Sequence, residues 1–305
     1  MPRVSVVMPV YNGATFVSRA IESVLHQTMP DFELIVVDDG STDDTRGVVT
    51  AITDKRLRYI HQQNKGPSVA RNNGIRAATA EWIAFLDSDD YWLPNKLEAQ
   101  LARARDVPDA GLIYCGATYR DPSGGFIAEL PAVVEGAVVP DLILDNCISG
   151  GTSSAAIRRD VFDAIGLFDE SMSCCEDWDL WLRAANATRV AKVVEPLVGV
   201  VNRPGSLNKR ARDVRDVSIH MLEQAFKSYA APYAHLRRRA LWNVYRSAAI
   251  TCRDLGEYGK AIKNILRAIS YRPHFLPTYW SLFRIASGSL NARKNPIPAT
   301  SGSER

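Results

Sequence analysis

Trp82-Ile83-Ala84-Phe85-Leu86-Asp87-Ser88-Asp89-Asp90 is a run of five apolar residues that ends in three carboxylates within four positions. The apolar part has the length and composition of a buried strand. The acidic part has no basic residue near it in sequence. In extended backbone Asp87 and Asp89 project to the same side, because side chains alternate with a period of two. Two carboxylates on one side repel, and that raises a pKa unless a cation lies between them. Hard oxygen ligands at this spacing suit Mg2+ or Mn2+, often shared with a phosphate. The same letters also read as an acidic turn ahead of a helix starting near Pro94, so the stretch by itself leaves both readings open.

Upstream the pattern is regular. Val4 to Val10 is a short apolar run broken by Pro9, a buried strand that ends in the turn Tyr11-Asn12-Gly13. Phe16, Ala20, Val24 and Leu25 recur at helical spacing. Phe32 to Val37 is a second strand, ending in Asp38-Asp39-Gly40, after which Ser41 or Thr42 can cap a helix with Asp43 and Asp44 in its first turn. Leu57 to Ile60 is a third strand, and Gln63-Asn64-Lys65-Gly66-Pro67 leads into a helix carrying Ala70, Gly74 and Ala77. Strands alternating with helices predict a mostly parallel sheet with helices on both faces. In such sheets ligands bind outside the carboxyl ends of the strands. Tyr11, Asp38, Asp39, Asp87 and Asp89 all follow strands and so share that edge.

Downstream the order loosens. Gly111 to Cys115, Ser153 to Ile157, Val190 to Val194 and Val198 to Val201 read as strands, and Asp121-Pro122-Ser123-Gly124-Gly125 as a hairpin turn. Arg159 to Ile165 reads as a short helix, and Ser173-Cys174-Cys175-Glu176-Asp177 precedes an amphipathic one through Leu180, Trp181 and Ala184. The α/β part ends near Ser206. Beyond it the pattern is helical, and Tyr245, Ala249, Cys252, Gly256, Tyr258, Ala261, Ile265, Ala268 and Pro273 resemble one tetratricopeptide-type hairpin. One repeat cannot bury its own apolar face, so it packs on the main domain or on a partner, which includes a second copy of the chain. The expected division is 1–206, a C-terminal helical region 207–286, and a disordered tail 287–305.

Across its 305 residues the chain carries a net charge of +3, which argues against nucleic acid as a partner. Five cysteines, an odd number with no Cys-x-x-Cys pair, argue against a disulfide framework or a zinc site and for a reducing compartment. The first residues enter strand pattern directly and no apolar run approaches the roughly 20 residues of a membrane span. A cytoplasmic protein is the expectation, with peripheral contact at the inner face of the plasma membrane open to the basic run Arg203, Lys209, Arg210, Arg212 and Arg215.

With these residues in view the chain resembles the inverting glycosyltransferases of family 2, which have the GT-A fold. The resemblance covers about residues 3–206. It rests on Pro9-Val10-Tyr11-Asn12, Asp38-Asp39-Gly40-Ser41-Thr42-Asp43, Asn64 to Asn72, Asp87-Ser88-Asp89-Asp90 and Glu176-Asp177, in that order. It implies a nucleotide-sugar-binding half (about 1–110) and an acceptor-binding half (111–206). Tyr11 and Asp39 would hold the donor base over a floor of Pro9 and Val10, beside Asn12 and Gly66. Arg71 would reach the base or diphosphate. Asp87 and Ser88 would contact the donor, with Asp87 at the ribose or metal-bound water, and Asp89 would ligate Mn2+ or Mg2+. Asp177 would be the catalytic base, ionised at a helix start, with Glu176, Trp178, Gly150, Gly151 and Arg203 in supporting or acceptor-side places. A UDP-sugar is the first expectation for the donor, with GDP- or dTDP-sugars as alternatives. The acceptor would be a glycan or a lipid-linked molecule in cell-surface polysaccharide, lipopolysaccharide or glycoconjugate synthesis. After Asp177 the chain reads Trp178-Asp179-Leu180-Trp181-Leu182-Arg183. It lacks the Gln-x-x-Arg-Trp motif of processive members, which implies one sugar per encounter.

Other classes fit less of the chain. A sugar nucleotidyltransferase needs a Gly-rich basic loop after the first strand, and in this chain one glycine and no Lys or Arg lie between that strand and Arg19. A dehydrogenase needs Gly-x-Gly-x-x-Gly after a strand. A catalytically silent nucleotide-sugar-binding protein remains, and it has no use for a base at Asp177.

Overall fold

The computed structural model describes residues 2–203 and 211–294. The chain divides into two compact units, Met1–Ser206 and Leu207–Arg305.

The first unit is built on a nine-stranded sheet. Strand β1 (Val4–Val10) lies between β2 (Phe32–Asp38) and β4 (Trp82–Phe85), parallel to both, and β3 (Leu57–His61) flanks β2 in parallel. Every residue of β1, β2 and β4 is buried, as expected of parallel strands covered on both faces. The helices covering this half are α1 (Val17–Leu25), α2 (Thr45–Thr50) and α3 (Pro67–Ala77). Helix α3 packs closely on β1: a Cβ added at Gly74 would lie 2.3 Å from Val7 Cγ1.

The order β3-β2-β1-β4 means the chain winds outward from β1 to β3 and then returns to β1's other side. The crevice at the ends of β1 and β4 is therefore the switch point of the sheet. Pro9 marks it. Leu86 N–H donates to Val7 carbonyl oxygen, the last rung on the β4 side, whereas Asp39 N–H still donates to Val10 on the β2 side. Backbone groups alternate sides along a strand, so Pro9 turns its missing N–H to the side β4 has already left.

The second half closes the sheet with mixed polarity. Strand β8 (Ala156–Arg158) is antiparallel to β4 and to β6 (Ala110–Arg120). Strand β6 runs parallel to β9 (Arg189–Val201) and forms a hairpin with β7 (Phe126–Leu130), while β5 (Tyr91–Trp92) pairs with β9. The N-terminal half is wholly parallel, and the second half combines the parallel β6–β9 ladder with short antiparallel ones. Helices α4 (Lys96–Asp106), α5 (Val139–Leu144), α6 (Gly151–Ser154), α7 (Arg159–Ile165) and α8 (Glu176–Ala187) complete the unit.

Two sequence expectations change. Ser153 and Ser154 are not strand but the last turn of α6, and β8 begins at Ala156. Their burial reads as apolar pattern, yet each hydroxyl is hydrogen-bonded, to Asp90 and to the Gly151 carbonyl oxygen. The segments Val190–Val194 and Val198–Val201 belong to one strand, β9, whose register against β6 shifts where Gly116 meets Pro196.

The second unit is helical: α9 (Ala211–Lys227), a 3-10 segment Ala231–Leu236, α10 (Arg237–Asp254), α11 (Tyr258–Tyr271) and α12 (Leu276–Lys294). Helices α10 and α11 form the expected hairpin, turning at Gly256 with φ +74°. Ala249, Cys252, Ala261, Ile265 and Ala268 form its core with Trp242 and with Ile285 from α12. The hairpin's apolar face is therefore covered in part by α12. The disordered tail expected from residue 287 gives way to helix through Lys294, and 295–305 lie outside the described residues. Among the described residues no helix is long and apolar enough to cross a membrane. Cys115, Cys147 and Cys252 are free thiols.

Candidate active site

The loops after β1 and β2 are clasped together at the switch point. Asn12 N–H donates to Ser41 Oγ, Thr42 N–H to Asn12 Oδ1, Gly13 N–H to Thr45 Oγ1 and Ala14 N–H to Asp43 Oδ2, at 2.8–3.0 Å. Asn12 takes φ +51°, a left-handed conformation that asparagine tolerates. Asn12 is thus occupied by the loop clasp. Tyr11, next to it, is 49% exposed at the rim of the crevice. Pro9 and Val10 are buried beneath, at the strand end.

Asp39 is buried and holds the loop ahead of α3. Its Oδ1 accepts from Gln62 Nε2 and Lys65 N–H, and its Oδ2 from Gly66 N–H at 2.8 Å. A carboxylate offers about four acceptor sites, so one remains. Gly66 then starts α3 at φ +92°, followed by Pro67 at the first helical position.

Arg71 differs most from expectation. It is 5% exposed. One terminal nitrogen donates to Asp87 Oδ1 at 2.7 Å and the other to Glu176 Oε1 at 3.0 Å. Burial pulls the guanidinium pKa down, but Asp87 and Glu176 outweigh it, and the net shift is upward. Arg71 does not reach free into the crevice. It ties the acids after β4 to the start of α8, 105 residues away in sequence.

The acidic stretch has three distinct environments. Asp87 is held by Arg71 and, through Oδ2, by Thr152 Oγ1 at 3.1 Å. Asp90 is buried and pinned: Ser153 Oγ donates to its Oδ2 at 2.6 Å and Val201 N–H to its Oδ1 at 3.0 Å. Burial, then the charges of Asp87 and Asp89, push its carboxyl well above the usual range. Asp89 is partly exposed with Arg203 Nε 3.5 Å from its Oδ2, and Arg19 donates to its carbonyl oxygen. Burial and then Asp87 raise its pKa against the pull of Arg203. Ser88 is half-buried in the turn between them. Arg203 also lies over the Phe16 ring at 3.7 Å, beside Asp89. The rest of the basic run falls on residues 204–210, outside the described residues, and on α9.

These oxygens fit a hard divalent cation. Asp87 and Asp89 are each about one-third exposed (35% and 32%), and their mutual repulsion is what a cation relieves. Among the described residues no group of three or more His, Cys, Asp or Glu encloses a metal position. The protein would therefore supply part of a coordination shell, leaving places for phosphate and water.

Across the crevice, α8 begins at Glu176 after Cys175, which takes φ +61°. Asp177 Oδ1 accepts from Trp178 N–H at 2.7 Å, and Asn146 Nδ2 lies 3.4 Å from its Oδ2. Burial, then Glu176, raise its pKa to about 6 against the Trp178 N–H, Arg71 and Asn146. Burial outweighs the helix start in setting this pKa, yet at about 6 the group is still mostly ionised at neutral pH. Gly150 and Gly151, at φ +75° and +54°, bring backbone up to it, and a Cβ on Gly151 would stand 3.6 Å from Asp177 Oδ2. Trp178 turns away from the crevice. It is buried, and its Nε1 donates to the Leu142 carbonyl oxygen at 2.7 Å, anchoring α8 on α5.

Thr152 and Ser153, in the Gly150–Ser154 stretch expected to line the cleft near Asp177, hold Asp87 and Asp90 instead, and Asn146 belongs to this site although no motif pointed to it. A lone Asn or a Thr-Ser pair carries no periodicity or spacing signal, and each acquires its role from residues 31–65 positions away.

The glycosyl transferase family 2 model matches residues 5–166. The succinoglycan biosynthesis protein ExoO of Rhizobium meliloti is 34% identical over 258 residues, 79% of this chain and 70% of that protein. An uncharacterized glycosyltransferase of Rickettsia bellii is 32% identical over 240 residues, 76% of this chain but 34% of that protein. The chain spans 34–39% of the length of that and two further Rickettsia relatives. Among solved structures, Staphylococcus aureus TarS in complex with UDP-GlcNAc matches at TM-score 0.60 and 17% identity, covering 96% of this chain and 92% of that one. The Pyrobaculum calidifontis mannosyltransferase PcManGT, in complex with GDP-Man and Mn2+, matches at TM-score 0.58 and 19% identity, covering 96% and 87%. The fold is that of GT-A glycosyltransferases such as these.

Proposed function

The chain belongs to glycosyl transferase family 2, and from that premise we propose that it transfers one sugar from a nucleoside-diphosphate sugar to an acceptor hydroxyl with inversion. The observation that carries this reading is Arg71, bonded at once to Asp87 and Glu176. It holds the acids of the donor edge and the acid-bearing start of α8 across one crevice.

In this reading residues 1–110 bind the donor. Tyr11 stacks on the base and the free acceptor site of Asp39 takes a base N–H. Asp89 would hold Mn2+ or Mg2+, which when bound would supply Lewis-acid stabilisation of the charge on the leaving diphosphate. Residues 111–206 bind the acceptor against Gly150, Gly151 and the Met172–Cys175 loop. Asp177 takes the proton from the acceptor hydroxyl as that oxygen attacks the anomeric carbon. A pKa near 6 leaves it mostly ionised at neutral pH and still a competent base. Retention through a covalent intermediate needs a second carboxylate as nucleophile. Glu176, its nearest neighbour, is engaged by Arg71, which favours inversion. The sequence after Asp177 favours single transfer over processive synthesis. The nucleotide sugars named with TarS and PcManGT support this donor class, and the name of ExoO supports a place in polysaccharide synthesis.

The test uses water as acceptor, so no acceptor needs to be known. Slow hydrolysis of the bound nucleotide sugar should be followed by proton NMR in wild type and Asp177→Asn. Loss of a general base should lower the rate by about 100- to 10,000-fold while donor affinity stays within about twofold. The sugar released by wild type should carry the opposite anomeric configuration at first. Equal rates in the two proteins, or a retained configuration, would mean that Asp177 is not the base of an inverting transfer.

A further inference from the structure

Helix α12 carries an apolar stripe that faces outward. Leu276, Tyr279, Trp280 and Phe283 stand at i, i+3, i+4 and i+7, one face of the helix, and are 77%, 41%, 62% and 61% exposed. The opposite face turns Thr278, Leu282 and Ile285 inward, where Ile285 joins the hairpin core and Thr278 accepts from Trp242 Nε1. The outward stripe is therefore not the core side of an amphipathic helix. The rings of Trp280 and Phe283 are already stacked, with centroids 5.5 Å apart and planes 12° apart. Contiguous exposed aromatic surface of this kind marks an interaction face.

The charge of the unit selects what covers it. Residues 207–305 carry 18 Lys and Arg against 6 Asp and Glu, whereas residues 1–206 carry 19 against 28. The small overall charge hides a strongly basic helical unit joined to an acidic one. Within the helical unit Asp216, Glu223, Asp254 and Glu257 are each paired already, with Arg215, Arg237, Arg253 and Lys260. Lys263 and Arg267 on α11 and Arg284 on α12 are exposed. Two copies meeting through this face would bring two net-basic units together. An anionic bilayer meets the same face with opposite charge and an apolar interior, and Trp, Tyr and Phe are the side chains that settle at such boundaries.

We propose that the Leu276–Phe283 face of α12 docks on an anionic lipid bilayer, with the aromatic stripe entering the headgroup boundary and Arg284, next to Phe283, together with the net basic charge of the helical unit drawn to acidic headgroups. The binding is peripheral and reversible, and it is independent of the transfer chemistry assigned to the first unit.

Flotation of the full chain with phosphatidylcholine vesicles, with and without about 30% phosphatidylglycerol, tests this. Wild type should float with the anionic vesicles, and binding should fall as salt is raised. The double variant Trp280→Ser, Phe283→Ser changes two exposed side chains and should keep its circular dichroism and thermal midpoint while binding at least about fivefold less. Lys263→Glu with Arg267→Glu should lose the preference for phosphatidylglycerol. Failure of wild type to float, or flotation that ignores either pair of substitutions, overturns the proposal. So does a wild-type dimer in sedimentation that the Trp280→Ser, Phe283→Ser variant dissociates, since a second copy would then occupy the face.

Discussion

Asp177 is held in a form that folding disfavours at working pH. Its pKa in the folded chain is raised to about 6 from 3.8, so the native state favours the protonated acid. Its contribution to stability is therefore fully present below about 4 and turns into a penalty as pH rises through 6. Asp177→Asn should be more stable than wild type at pH 8, by roughly 3 kcal/mol, and equal to it near pH 4. Urea unfolding at the two pH values measures this, and a pH-independent difference would contradict it. Wild-type donor hydrolysis should rise as pH is raised through about 6, with the same group responsible. Arg71→Met leaves Asp87 and Glu176 facing each other without their cation. It should lower stability by roughly 3 kcal/mol, as breaking a buried ion pair does. A loss under about 1 kcal/mol would show that the bridge holds nothing. At this scale the sequence spoke unevenly. The run Asp87 to Asp90 was legible because three carboxylates after an apolar strand violate the usual pattern. The division of labour among them was not. Which acid is buried and which is paired depends on Ser153, Val201, Thr152 and Arg203, all distant in sequence. Arg71 reads as a free cation until its two partners are seen.

The elements at the ends of β1, β2 and β4 explain why short motifs mark the site. Asp38 to Thr45 serves as a clasp: its Ser, Thr and Asp side chains take up the N–H groups of Asn12, Gly13 and Ala14, which no strand can satisfy. Helix α3 fixes the position of Arg71, and its approach to β1 depends on Gly74. Gly74→Ala drives a methyl into Val7 and should cost about 1–3 kcal/mol. It should also weaken donor affinity, because α3 carries both Arg71 and the loop held by Asp39. Calorimetry with unaltered affinity would separate α3 packing from the site. Strands and long helices were readable because burial on both faces leaves continuous apolar runs. The turn Gly151–Ser154 was misread as strand because buried serines paired to Asp90 and to backbone look apolar in a sequence. The strand β9 looked like two because Pro196 interrupts it at a register shift.

At the scale of the molecule, a net charge of +3 conceals an acidic α/β unit and a basic helical one. The expectation of a mostly parallel sheet holds for β1 to β4 and for the long β6–β9 ladder, while the short strands β5, β7 and β8 enter antiparallel. Sequence patterns reveal which strands are buried, but the direction in which a late strand enters an existing sheet is set by connections rather than by composition. The central claim is that the carboxyl edge of the parallel half receives a nucleoside diphosphate together with a divalent cation at Asp89. The measurement that tests it most directly is a calorimetric titration of UDP, GDP, CDP and dTDP, each with and without Mn2+, into wild type, Asp89→Ala and Asp177→Asn. The account predicts that one nucleotide binds wild type and Asp177→Asn with the metal, and that binding is lost without it or in Asp89→Ala. Binding that ignores both the metal and Asp89, or no binding by any of the four, would contradict it.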